Sequence, residues 1–182
     1  MLGVPGTIAV CSFMAFLFAG ADPGDERRPG KLLWEIGKDD GANGEFALTP
    51  WGYRGFKEDA LFAAGISDPR ADWPYVHPGP GDAWAGGRSH TFTIIFGVKG
   101  RPAGSCRLQV ALLDTHSRTP PRLSIDLNGH AVEKDLPPGA GDASLFGDLA
   151  KGKKHRFDVS FPADFLVDFI KEFRHLGVHP EE

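Results

Sequence analysis

Trp73, Tyr75 and Trp84 are the residues whose type and setting could hold a ligand. They fall in a long irregular stretch, Trp51 to Gly87, with prolines at 69, 74, 78 and 80. Proline and glycine at that density make a tight core position hard to form, so these rings are expected to stay wet. An aromatic face presented from a loop stacks on the apolar face of a sugar ring, and neighbouring polar groups take the hydroxyls. Arg88 follows the rings closely enough for that second task. Asp114 and His116, two apart at the close of an alternating run, are secondary candidates. The competing reading for any one ring is a cover over the open end of a core, because tryptophan is highly buried on average. Trp51, Tyr53, Phe56 and Phe62 from the same stretch are assigned to that covering role.

Other chemistries find less support. Asp114 and His116 have no second His or Cys at ligand spacing, which argues against zinc, and Asp114 is read first as a turn-shaping hydrogen-bond acceptor. The seven histidines are scattered, and no Ser or Cys sits in a nucleophile motif. Nothing nominates a carboxylate pair for glycoside hydrolysis. The turn Asp39 to Gly44 offers several oxygens, but an EF-hand loop fails at Gly41 and again at Pro50. No cofactor is expected, with a structural Ca²⁺ at this turn as the one alternative left open.

The elements that must position these residues are strands. In Thr91–Phe96, the side chains of Phe92, Ile94 and Phe96 share a face; in the next run Cys106, Leu108, Val110 and Leu112 do, opposite Arg107 and Gln109. Arg122 to Leu127 alternates without a break and ends at Asn128-Gly129, the pair that favours a two-residue hairpin turn, so a return strand through Ala131-Val132 is predicted. Leu32–Ile36 opens the series, with Trp34 and Ile36 on one side. His155–Phe161 continues it, with Phe157, Val159 and Phe161 inward. Asp59–Ala63 reads as a short helical turn, and Leu145-Phe146 as the anchor of a loop from Pro137 to Gly152. Phe165, Leu166, Phe169, Ile170 and Phe173 then recur at helical spacing, which predicts a C-terminal amphipathic helix. The fold class is all-β, a sandwich with that helix appended.

The 182 residues suit one domain with a real core, and the 24 glycines and 15 prolines fall between the alternating runs. A net charge of -4 with no long basic run argues against nucleic acid as the partner. Ile8 to Gly20 is apolar apart from Ser12, and Ala19-Gly20-Ala21 offers the small residues a signal peptidase accepts. Residues 1–21 are therefore read as an export signal cleaved after Ala21, against the alternative of a core strand or helix. The remaining expectations are a linker over 22–31, a sandwich over 32–166, a tail over 167–182, and a secreted or periplasmic protein without a stable membrane span. Cys106 would be the sole thiol after cleavage, buried and inert, leaving no disulfide.

Trp34-Glu35-Ile36-Gly37, then Asp40-Gly41 and Glu45-Phe46-Ala47, resemble the opening of the non-catalytic β-sandwich of rhamnogalacturonan lyases, polysaccharide lyase family 4. Phe92–Phe96, Leu108–Leu112 and Leu123–Gly129 are similar in the same order, so the resemblance runs from Leu32 to Leu166. It implies a jelly-roll, galactose-binding-like sandwich that holds pectic polysaccharide, the lyase chemistry belonging to a separate catalytic domain. That domain has no counterpart in these residues, so no lyase residue is carried over. The family module also tends to continue with a Gly-Asn turn and closing strands where this chain has Val167 to Glu182. A sandwich short of a strand exposes unpaired N–H and C=O groups, which invites association.

The reading is a carbohydrate-binding module for a pectin-type chain that does not cleave it, its contacts being Trp73, Tyr75, Trp84, Arg88, Asp114 and His116. Two alternatives are carried: a small polysaccharide lyase or hydrolase, and a structural domain docking on a partner protein. A catalytic domain acting in trans is a further partner the resemblance allows.

Overall fold

The structure is a computed structural model and describes residues 10–20, 30–100, 102–141 and 144–166. Of the helix anticipated from the spacing of Phe165 to Phe173, the described start is only a 3-10 turn, Ala163–Phe165, followed by an extended Leu166, and the residues beyond Leu166 lie outside the described residues. Four antiparallel strands form the main sheet in the order β2 (Lys31–Ile36), β1 (Val10–Ala19), β6 (Ser105–Asp114) and β9 (His155–Pro162). A fifth, the two-residue β4 (Val76–His77), pairs with the start of β1. Packed over this sheet are a parallel pair, β3 (Ala60–Ala63) with β5 (Phe92–Ile95), and a hairpin, β7 (Arg122–Leu127) with β8 (His130–Asp135).

Alternation placed the inner face correctly. Trp34, Ile36, Cys106, Leu108, Val110, Leu112, Val159 and Phe161 are all buried in one cluster. The half-buried Phe92, Ile94, Phe96, Leu123, Ile125 and Leu127 pack on it from the second layer. Trp34 and Phe96 join the two layers, with ring centroids 5.4 Å apart. β6 is covered on its other face too. There Arg107 is buried beside the Phe18 ring, its Nη1 3.6 Å from Asp158. The β7–β8 hairpin closes as predicted: Asn128 and Gly129 both have positive φ, at 52° and 88°, and Leu127 pairs with His130.

Two expectations change. The apolar stretch read as an export signal is, from Val10 to Ala19, the strand between β2 and β6. Its residues from Ala15 onward pair with β2 and those from Cys11 onward with β6, and Met14, Ala15 and Leu17 are buried. In this structure the sandwich therefore includes Val10–Ala19, which is the core-strand alternative. The physical reason is that a ten-residue apolar run has the same composition in a signal and in a strand buried on both sides. Asp59–Ala63 is not a helical turn: Ala60–Ala63 is β3, hydrogen-bonded to β5, with Leu61 exposed and Phe62 buried. Four residues are too few to carry a period, so the pairing with β5 decided the conformation.

Candidate functional site

Trp73 and Tyr75 do not stay wet. The helix α1 (Pro69–Asp72) is capped by Asp68, whose Oδ1 accepts from the Arg70 N–H, and Trp73 follows it directly. The chain then runs extended beside Ala47, which donates to Trp73 O and accepts from Tyr75 N, so both side chains turn inward. Each is fully buried. Trp73 packs against the Phe62, His77 and Phe92 rings, with centroids 5.3 to 5.9 Å away. The Tyr75 hydroxyl donates to Leu145 O at 2.9 Å. Neither ring offers a face to a ligand, because the proline-rich stretch is itself held by backbone hydrogen bonds that the sequence pattern does not display.

The other candidates scatter. Asp114 is fully buried at the end of β6; its Oδ1 accepts from the N–H groups of Thr115, Ala140 and Lys153, and its Oδ2 from Ser144 Oγ at 2.6 Å. A carboxylate so surrounded by donors shapes loops, and has no oxygen turned to a sugar. His116 Nδ1 accepts from the Thr119 N–H at 3.0 Å and closes a turn. Arg88 is exposed but engaged, with Nη1 2.9 Å from Asp59 Oδ1. The same oxygen stands 2.9 Å from His90 Nδ1, while His90 Nε2 lies 3.0 Å from Ala85 O. Burial pulls the Asp59 carboxyl upward, but its bonds to His90 and Arg88 outweigh that and hold it below the usual range. Trp84, beside this group, is half-buried, and its Nε1 donates to Asp82 Oδ1.

Trp84 belongs to a surface cluster made of rings that were assigned elsewhere. Tyr53 meets Trp84 edge-on at 5.0 Å and Phe146 edge-on at 5.7 Å. Phe146 is half-exposed, although Leu145 beside it is buried as the anchor. Trp51, on the rim of the short 3-10 turn Gly52–Gly55, is 65 % exposed, the most open Trp, Tyr or Phe ring among the described residues. Its inner side rests on Gly147, so the indole is supported from beneath and bare above. Arg54, on the same turn, is exposed and lies 5.7 Å from the Tyr53 ring centroid. The sequence held a signal for this site. Trp51 sits between Pro50 and Gly52, and Phe146 precedes Gly147, the same surroundings that favoured Trp73 and Trp84.

This arrangement suits stacking more than catalysis. An open indole on Gly147, next in the chain to a Phe146 that meets Tyr53 edge-on, offers a mostly apolar platform with the Arg54 cation beside Tyr53, able to take a flat pyranose face. Among the described residues, no group of three His, Cys, Asp or Glu side chains is placed to hold a metal ion.

The family described as CBM-like: Polysaccharide lyase family 4, domain III, matches residues 32–173. The chain belongs to this family. No curated protein and no solved structure matches it. Membership makes this an all-β, carbohydrate-binding-like accessory module of the polysaccharide lyase type, in agreement with the resemblance carried by Trp34 to Gly129. All the platform rings, Trp51, Tyr53, Trp84 and Phe146, lie within the matched span of the module. β1 lies before it, although the strands that β1 pairs with, β4 and β6 and all of β2 but its first residue, lie inside.

Proposed function

We propose that this module holds a pectic polysaccharide on the Trp51–Phe146 platform and does not cleave it. The observation that carries the reading is Trp51, exposed on one side and braced by Gly147 on the other. An exposed indole costs surface energy in the free protein unless something covers it, and a sugar face does so without needing a deep pocket. Arg54 at the platform edge supports an acidic chain, because a guanidinium pairs well with a uronate carboxylate. The module acts where such polymers lie, outside the cytoplasm. Bond cleavage is left to a catalytic domain or chain that the module accompanies.

Calorimetric titration with rhamnogalacturonan and homogalacturonan oligosaccharides tests this. Stacking contributes on the order of 1 kcal/mol per ring, so Trp51→Ala is expected to weaken binding roughly fivefold and Trp51→Ala with Phe146→Ala more than tenfold. Arg54→Ala should weaken the uronate-rich ligand more than a neutral one. Unchanged affinity in the double variant would remove the platform from the function. An unsaturated uronate absorbance appearing during the titration would replace binding by lyase activity.

A further inference from the structure

We infer that Tyr75 and Asp114 are positioning residues for the sugar platform, acting together on the turn that carries Phe146 and Gly147. This rests on the reading of that platform as the carbohydrate surface. The turn runs from Ser144 to Gly147 and is closed by the Gly147 N–H donating to Ser144 O at 3.1 Å. Two successive residues of it are tied to the sandwich. Ser144 Oγ donates to Asp114 Oδ2 at 2.6 Å, from the end of β6. Leu145 O accepts from the Tyr75 hydroxyl at 2.9 Å, next to β4. Both bonds are buried, and both anchoring residues are fully enclosed.

The next two residues form the platform. Phe146 turns outward against Tyr53, and Gly147 lies under the Trp51 indole. Leu145, which carries the second tie, is itself buried in the core and adjoins Phe146 in the chain. Asp114 also fixes both flanks of the loop through the N–H groups of Ala140 and Lys153. A turn pinned at Ser144 and Leu145 leaves Phe146 and Gly147 little freedom, so Trp51 receives a fixed floor. Such preorganisation raises affinity by lowering the ordering that binding must impose. Neither anchor touches the ligand.

The test uses the full chain with Tyr75→Phe, which deletes one hydroxyl, and Ser144→Ala, which cuts the Asp114 tie while leaving the carboxylate in place. Asp114→Asn is a third variant, read only where it folds. Three quantities are compared: melting temperature, affinity for a rhamnogalacturonan oligosaccharide, and acrylamide quenching of tryptophan fluorescence. Trp51 dominates the quenching, since Trp34 and Trp73 are buried and Trp84 half-buried. Loss of one buried hydrogen bond is expected to weaken binding about threefold to tenfold and to alter quenching, with the fold retained. Variants that melt lower yet keep wild-type affinity and quenching would overturn the inference, leaving both residues as core fasteners. If the wild-type chain binds none of the oligosaccharides, the proposed function falls; altered quenching in the variants would still support the positioning, and unaltered quenching would overturn it.

Discussion

The six-membered ring of Trp51 lies so close over Gly147 that a Cβ added there would stand 3.0, 3.1 and 3.2 Å from Cη2, Cζ2 and Cζ3. Gly147 also has φ +91°, a conformation that L side chains rarely adopt. Gly147→Ala should therefore act twice, straining the turn by about 1 kcal/mol and lifting the indole. The expected outcome is a melting temperature a few degrees lower and a several-fold loss of sugar affinity. A matched loss of affinity in Trp51→Ala, with no further loss in the double variant, would show that the two residues act as one unit.

Trp73 and Trp51 should separate stability from binding. Trp73 is enclosed by Phe62, His77 and Phe92, so Trp73→Ala opens a large cavity and is expected to cost about 3–5 kcal/mol in urea unfolding. Trp51→Ala removes an exposed ring and should cost under about 1 kcal/mol while weakening binding. The reverse pattern would return the site to Trp73.

Acid should loosen the fold through His77. Full burial drives its imidazole down from 6.5 to about 3, packed 4.2 Å from the Phe92 ring centroid. Its folded value lies below its unfolded one, so the contribution is complete above about pH 6.5 and is lost as pH falls toward 3. Within that window the unfolded chain binds a proton that the folded one refuses, at up to about 1.4 kcal/mol per pH unit. His155, also lowered by burial and by Lys153, adds to the slope with the same sign. Denaturation midpoints between pH 7 and 4 should fall, and His77→Phe should flatten part of that fall. A midpoint that holds steady to pH 4 would contradict it.

The strand Val10–Ala19 gives the sharpest structural test. A chain of residues 22–182 would lack the strand between β2 and β6 and expose both of their edges. Burial of Met14 and Leu17 alone is worth on the order of several kcal/mol. That shortened chain is expected to associate or lose near-ultraviolet circular dichroism, and a synthetic peptide of residues 8–21 should restore it. A monomeric, cooperatively unfolding 22–182 would show that the sheet closes without β1. Amino-terminal sequencing of exported protein reads directly which form is made.

What the sequence determined by itself was local. Period-two alternation in Phe92–Phe96, Cys106–Leu112, Arg122–Leu127 and His155–Phe161 named four strands and their inner faces, because pleating alone sends successive side chains to opposite sides. Asn128-Gly129 named its hairpin because two positive φ angles are a property of those two residues. The ordered motifs from Trp34 to Gly129 were enough for the family. Tertiary structure alone decided the rest. Whether an apolar run becomes a strand depends on open edges elsewhere, and β1 found them on β2 and β6. A ring's burial depends on which distant surface covers it: Tyr75 is enclosed by a loop whose Leu145 lies 70 residues on. Trp51 is left bare above and backed by Gly147 for the same reason, since the chain that floors it arrives only when the sandwich closes.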